Sequence, residues 1–193
     1  MSLLRTFIAV DIPSHLQQTI QEQTKVLRQT IGDSSVRWVP AHNIHLTLKF
    51  VGDISPSNVD LLAQTLKREA ELIPAFEIQV GGLGSFPSLK RPRVLFIGVQ
   101  APAELEALRR GIEAGAVKLG YTADEREFSP HLTIGRVRQH ISTSDLLTIR
   151  RALEATKIDS LGTVRVDSIH LYKSDLNPNG SIYTRLYSAP LHT

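Results

Sequence analysis

Two stretches of this chain alternate apolar and polar residues in the same order. One is Ile44-His45-Leu46-Thr47-Leu48-Lys49-Phe50 and the other is His131-Leu132-Thr133-Ile134. A period of two describes a strand with one buried face and one open face, and it does not describe a helix. Ile44, Leu46, Leu48 and Phe50 fall on the buried side of the first stretch, and His45, Thr47 and Lys49 on the open side. In the second stretch Leu132 and Ile134 oppose His131 and Thr133. Composition alone would produce His-Leu-Thr on the order of 0.07 times in a chain of 193 residues. Two copies just under half a chain apart therefore hint at a duplicated unit, and at two halves facing each other.

The rest of the chain reads as strands and helices interspersed. A strand is expected over 3–10. Pro13 then opens one helix that carries Leu16, Ile20, Leu27 and Ile31 at helical spacing and stops at Gly32. Residues 37–39 form a short extended piece. A second helix follows Ser55-Pro56-Ser57 with Val59, Leu62, Leu66 and Ile73 inward. Phe76, Ile78 and Val80 make a strand, and the basic, glycine- and proline-rich run 81–93 reads as a loop. A strand over 94–99, a helix over 104–119 and a helix over 144–156, opened by Ser144 or Thr143, come next. The strands 164–171 and 182–187 flank Asn177-Pro178-Asn179-Gly180, whose turn chemistry predicts a closing hairpin.

Several function classes drop out early. The chain contains no cysteine, which removes disulfides, thiolate nucleophiles and cysteine metal sites. No apolar run is long enough to span a bilayer, and MSLLRTFIAVDIP reads as a first strand, not a signal peptide. The net charge of +3, from 22 basic and 19 acidic residues, is compatible with a phosphate-bearing ligand but does not require one. A cytoplasmic location is the simplest expectation.

If the two strands lie side by side, two imidazoles and two hydroxyls converge. Cleaving a phosphodiester in line needs a base on the attacking oxygen and an acid on the departing one. Histidine titrates near neutrality and serves either role. Threonine hydroxyls can donate to the non-bridging oxygens, where negative charge sits in the transition state. A metal site on His45 and His131 would lack a third ligand at any recognisable spacing. Polar residues on the wet face of half-buried strands are the bland alternative, which leaves the repetition unexplained. Lys49 shares the expected open face with His45. Arg136 lies five residues after His131, where strict alternation turns it away. A bulge at Gly135 would bring it back to clamp a phosphate oxygen. The remaining histidines, His170 among them, have no repeated context.

The residues RTFIAVDIP at 5–13, VRWVPAHNIHLTLKFVGDI at 36–54, FPSLKRPRVLFIGV at 86–99 and FSPHLTIGR at 128–136 resemble the two-histidine phosphoesterases. Within them they are similar to the RNA 2′,3′-cyclic phosphodiesterases, formerly called 2′-5′ RNA ligases. The resemblance implies an α+β fold over 1–193 as a single bilobal domain. Its two pseudo-symmetric lobes would line a central groove with antiparallel sheets and keep their helices outside. It implies hydrolysis of a 2′,3′-cyclic phosphate to a 2′-phosphomonoester without metal or other cofactor. His45 would be the proton donor to the 3′ oxygen and His131 the acceptor that activates water. Thr47, Thr133 and Arg136 would hold the phosphate. Trp38 is a candidate for stacking on a base, Phe7 is expected to pack in the core, and Lys90, Arg91 and Arg93 could steer an RNA end. The expected partner is an RNA 3′ end bearing a 2′,3′-cyclic phosphate, met by a monomer away from membranes. Ligation by the reverse reaction, small cyclic nucleotides as substrates, and a non-catalytic RNA-end module stay open at this level.

Overall fold

Leu46, Leu48, Leu132 and Ile134, the apolar members of the alternating stretches, are buried in one continuous core with Ile8 and Val10 of the first strand. The helical repeats Leu16, Ile20, Leu62, Leu66, Leu105, Leu108 and Ile112 close over it. The computed structural model describes residues 2–177 and 180–192. Its strands are β1 (Leu4–Asp11), β2 (Val36–Trp38), β3 (His45–Ile54), β4 (Phe76–Phe86), β5 (Val94–Gln100), β6 (His131–Val137), β7 (Ser160–Val166), β8 (Ser168–Asn177) and β9 (Gly180–Pro190). Its helices are α1 (Ser14–Gln23), α2 (Lys25–Ile31), α3 (Val59–Glu71), α4 (Ala103–Lys118) and α5 (Thr143–Ala155).

The strands form one antiparallel sheet in the order β7-β4-β5-β6-β3-β1-β8-β9, with β2 on β6. That order is symmetric about its centre. Each motif strand has as its outer neighbour a strand from earlier in the chain: β1 beside β3, and β5 beside β6. The two halves meet where Leu46 pairs with Leu132. The expected α+β architecture of two facing antiparallel lobes is present. The lobes, however, interleave along the chain: β8 and β9 join the β3 half, while β4, β5 and β7 join the β6 half. Helices cross over as well, with α1 packing near β7 and α4 against β3, while α3 covers β8 and β9 of its own half. Among the described residues no helix is long and apolar enough to cross a membrane.

Four local departures from the sequence reading have identifiable causes. The first helix breaks in two at Thr24, which is fully buried and turns its hydroxyl onto the Ile20 carbonyl at 2.7 Å. A threonine bonding back to the preceding turn competes with the helical ladder. Strand β4 runs on through Gly81 to Phe86, so only 87–93 is loop; its partner β5 absorbs the glycines in a register shift between Val80 and Leu83. The expected strand 164–171 is two strands that turn at Asp167, because β7 pairs with β4 while β8 pairs with β1 and β9. Helix α5 is capped by Ser142, whose hydroxyl accepts from Asp145 N–H in a capping box. The closing hairpin is present, with Asn177 paired to Gly180; Pro178 and Asn179 of the expected turn lie outside the described residues.

Candidate active site

His45 and Thr47 project from the first motif strand, His131 and Thr133 from the second, and all four are half-buried. Their apolar partners Leu46, Leu48, Leu132 and Ile134 are buried behind them. The contact between the strands is antiparallel at Leu46 and Leu132. Carried one residue either way, that register sets His45 across from Thr133 and Thr47 across from His131. The two histidines stand on a diagonal, which in an antiparallel pair separates them by roughly 7–8 Å at the backbone. The pairs therefore converge as the alternation predicted.

Both imidazoles are aimed by the same device. His45 Nδ1 lies 2.7 Å from the Asn43 carbonyl oxygen, and His131 Nδ1 lies 2.7 Å from that of Ser129. A carbonyl only accepts, so in each ring Nδ1 carries the proton and donates. The neutral ring thus presents a bare Nε2. Asn43 is itself held, its side-chain amide donating to Ser181 of β9 at 2.8 Å. Aromatic rings wall both imidazoles. Phe7 stacks on His45 at 4.8 Å and Tyr183 meets it edge-on at 5.3 Å. Phe86 and Phe96 flank His131 at 4.9 and 5.3 Å. Burial pushes the proton affinity of both histidines down. The Asn43 and Ser129 carbonyls oppose that shift, and the Arg136 cation adds to it.

Arg136 does return to the groove. The β5–β6 register shifts between Leu95 and Phe96, so Ile134 is the extra residue of a bulge that closes at Gly135. Gly135 admits no side chain there: a Cβ would sit 2.8 Å from Val36 Cγ1 and 2.9 Å from Trp38 Cε3. The first motif strand carries the same bulge. Ala9 pairs with Thr47 and Ile8 with Lys49, leaving Leu48 unopposed. The expectation for Lys49 and Phe50 is corrected accordingly. Lys49 turns into the interior, where Nζ donates to Glu113 Oε1 at 2.8 Å and to the Thr122 carbonyl at 3.0 Å. Phe50, expected in the core, is 58% exposed on the groove side.

The groove has a volume of about 800 Å³. Four arginines line it (Arg5, Arg37, Arg136 and Arg138) against a single acidic residue, Asp33. Trp38 is on the wall with one ring face taken by the Arg28 guanidinium at 5.0 Å. Phe7 is buried as expected, yet it packs against the catalytic face, not away from it. Lys90, Arg91 and Arg93 do not line the groove; Arg91 and Arg93 border a separate hollow beside Ser142. Among the described residues no group of three or more His, Asp or Glu side chains is arranged to share a metal ion. Sequence reasoning missed Asn43 and Ser129, although each lies two residues before its histidine. It also missed Asp11, Tyr172, Tyr183 and Arg185, which carry no local motif.

A family model described as the 2′-5′ RNA ligase superfamily matches residues 12–178. The chain is 32% identical over 181 residues to the RNA 2′,3′-cyclic phosphodiesterase of Methanothermobacter thermautotrophicus, covering 94% of this chain and 95% of that one. It is 34% identical over 186 residues to the protein of the same name from Aquifex aeolicus, with 95% of each covered. Its fold superposes on E. coli LigT solved with 3′-AMP at a TM-score of 0.77, with 25% identity and 99% of each chain covered. On the strength of those matches and of the doubled histidine–threonine strands, this chain belongs to the 2′-5′ RNA ligase superfamily, the two-histidine phosphoesterases.

Proposed function

We propose that the groove hydrolyses the 2′,3′-cyclic phosphate at an RNA 3′ end to a 2′-phosphomonoester. One observation carries this reading: two half-buried imidazoles, each locked with Nδ1 as donor and so with Nε2 free, stand on a diagonal across the central strand pair, where His45, Thr47, Thr133 and Arg136 line the groove. A ring in that tautomer is a base when neutral and an acid when protonated, as in-line displacement requires. His131 takes a proton from water as its oxygen bonds to phosphorus. The P–O3′ bond breaks, and His45 gives its proton to the departing 3′ oxygen. Thr47 and Thr133 donate to the non-bridging oxygens, and Arg136 neutralises the charge that gathers there. The ring strain of the cyclic ester and these donors suffice without a metal.

The arginine-lined groove suits a polyanion, and the relatives named for RNA 2′,3′-cyclic phosphate chemistry support RNA as the substrate. Phe50, exposed at the groove, offers a nucleobase a stacking face, while Trp38 contributes the wall beneath Arg28. Both histidines come from one chain, so the two lobes act as a single domain over 1–193 and a monomer holds a complete site. A cytoplasmic place of action goes with that reading.

The test is an RNA oligonucleotide ending in 2′,3′-cyclic phosphate, incubated with the protein in EDTA. The expected product is a 2′-phosphate end. Unchanged cyclic ends, or a 3′-phosphate product, would refute the reading.

A further inference from the structure

We propose that Asp11 makes the two histidines unequal: it stands across the β1–β3 pair from His45, where only Gly98 stands across β5–β6 from His131, and its carboxylate keeps the acid's proton on His45. This rests on the hydrolytic reading above. It goes beyond that reading in naming the residue that divides two nearly identical imidazoles into acid and base.

The two halves can be superposed residue by residue through their pairings. Asp11 partners His45 and Ala9 partners Thr47; Gly98 partners His131 and Phe96 partners Thr133. The second half cannot carry an acid in the place of Asp11, because a Cβ on Gly98 would meet the Gly81 carbonyl oxygen of β4 at 2.8 Å. The asymmetry is therefore built into the backbone and is not a free choice of side chain.

Asp11 is held beside the His45 strand by three neighbours. Tyr172 donates to its Oδ1 at 2.7 Å, and Arg185 donates to its Oδ2. His170 Nε2 lies 3.6 Å from Oδ2, and its Nδ1 lies 2.9 Å from Ser188 Oγ. Tyr172 is pushed up to about 12 by burial and by the carboxylate, so it stays a donor. Burial pushes His170 down, and Asp11 and Asp167 oppose that shift. Arg185 is the permanent cation on the carboxylate. Other groups that act on His45 are His131 and Arg136 from β6, which disfavour its proton, and the Asn43 carbonyl, which favours it. Tyr183 of β9 contributes a ring edge. Asp11 is the acidic side chain that opposes Arg136 at His45; among the described residues none does so at His131. An opposite charge at close range moves a proton affinity by about one unit or more.

Asp11 is thus a positioning residue that acts through His45, and its test must separate charge from architecture. Histidine-labelled protein would be titrated by NMR, with the imidazoles assigned from single His→Gln variants. The rate on the cyclic-phosphate oligonucleotide would be followed against pH. Asp11→Asn keeps an acceptor for Tyr172 but removes the charge. His45 should then lose its proton about one pH unit lower while His131 stays, and the basic limb of the rate profile should move down by the same amount. Arg185→Gln exposes the carboxylate and should move His45 the other way. A His45 midpoint unmoved by Asp11→Asn, or one that moves in step with His131, overturns the proposal. Should Asp11→Asn fail to fold, the half-exposed Arg185 decides: no upward shift of His45 in Arg185→Gln overturns it equally. If the wild-type protein leaves cyclic ends intact, the hydrolytic reading falls, and the titration still reports on Asp11.

Discussion

The two motif strands share sequence, bulge and histidine geometry, and diverge in the two residues after the bulge. In β3 those residues are Lys49 and Phe50, and in β6 they are Gly135 and Arg136. The residue that turns inward meets helix α4 in one half and strand β2 in the other. Lys49 finds Glu113, whereas Gly135 leaves space for Trp38. The residue that turns outward lines the groove, an aromatic ring in one half and a guanidinium in the other. On the hydrolytic reading proposed above, the paired strands keep what the chemistry needs twice, a base-or-acid and a donor. They vary what that reading needs once: a place for the nucleoside and a place for the charge.

The sharpest break in the comparison is between the histidines themselves. His45→Ala and His131→Ala should each slow turnover by at least about a hundredfold, the ordinary scale of general acid–base catalysis. Their losses differ in kind. A phosphodiester with a nitrophenolate leaving group needs no acid, so it should restore most of the rate to His45→Ala and none to His131→Ala. Equal rescue of both would dissolve the assignment of acid and base.

Lys49 tests the inward position. Its side chain is 2% exposed and its ammonium is bonded to Glu113 and Thr122. Breaking a buried pair costs about 3–5 kcal/mol, and Glu113 keeps Arg109 at 3.9 Å, so the loss falls at the low end. Lys49→Ala should therefore lower the urea-unfolding free energy by about 3 kcal/mol. Lys49→Met, which fills the space but also removes the ammonium from Glu113, should recover only the packing share. Glu113 also accepts from the Asp124 amide, in the segment leading to Ser129 and His131. The same variants should then slow hydrolysis modestly. An unchanged melting curve for Lys49→Ala would remove the pair from the account of stability.

Arg136 tests the outward position of β6. Removing its guanidinium takes a charge-assisted donor from the phosphate and should lower kcat/KM roughly tenfold to a hundredfold. A second signature follows from its influence on both imidazoles. Arg136 holds the proton affinity of His45 and His131 down, so Arg136→Ala should move both limbs of the pH–rate profile upward together. Asp11→Asn should move one limb alone and downward. That contrast separates the shared cation from the residue that breaks the symmetry.

How much of this could be read from the chain depends on how locally each feature is encoded. The alternation is a property of seven consecutive residues around His45 and four from His131, so the strands and their His-Thr face were legible. The return of Arg136 was legible because Gly135 marks the bulge. The matching bulge at Leu48 was not, since nothing in Leu48-Lys49-Phe50 departs from alternation. It exists only in the pairing with Ile8 and Ala9 of β1. The split at Asp167 was hidden for the same reason: Val164 and Leu171 alternate smoothly but belong to strands in opposite halves of the sheet. Asp11 and Tyr172 are 161 residues apart in sequence and touch only in the folded sheet. The aiming carbonyls of Asn43 and Ser129 stood at equal offsets from their histidines. They are backbone atoms, on which side-chain patterns are silent.

Phe50 is the smallest and most discriminating probe of the comparison. It occupies in β3 the place that Arg136 occupies in β6, and it is more than half exposed although strict alternation assigned it to the core. Stacking on a base contributes about 1–3 kcal/mol when the ring is truncated, and a partly exposed face falls at the low end. Phe50→Ala should raise KM for a cyclic-phosphate oligonucleotide several-fold with kcat nearly intact. It should leave both limbs of the pH profile in place, because the ring carries no charge. Phe50→Leu, which keeps apolar volume but not the π face, should behave like Phe50→Ala if stacking is what Phe50 supplies, and like the wild type if it only covers apolar surface. A large fall in kcat would place Phe50 with the chemistry and make the two outward positions equivalent after all.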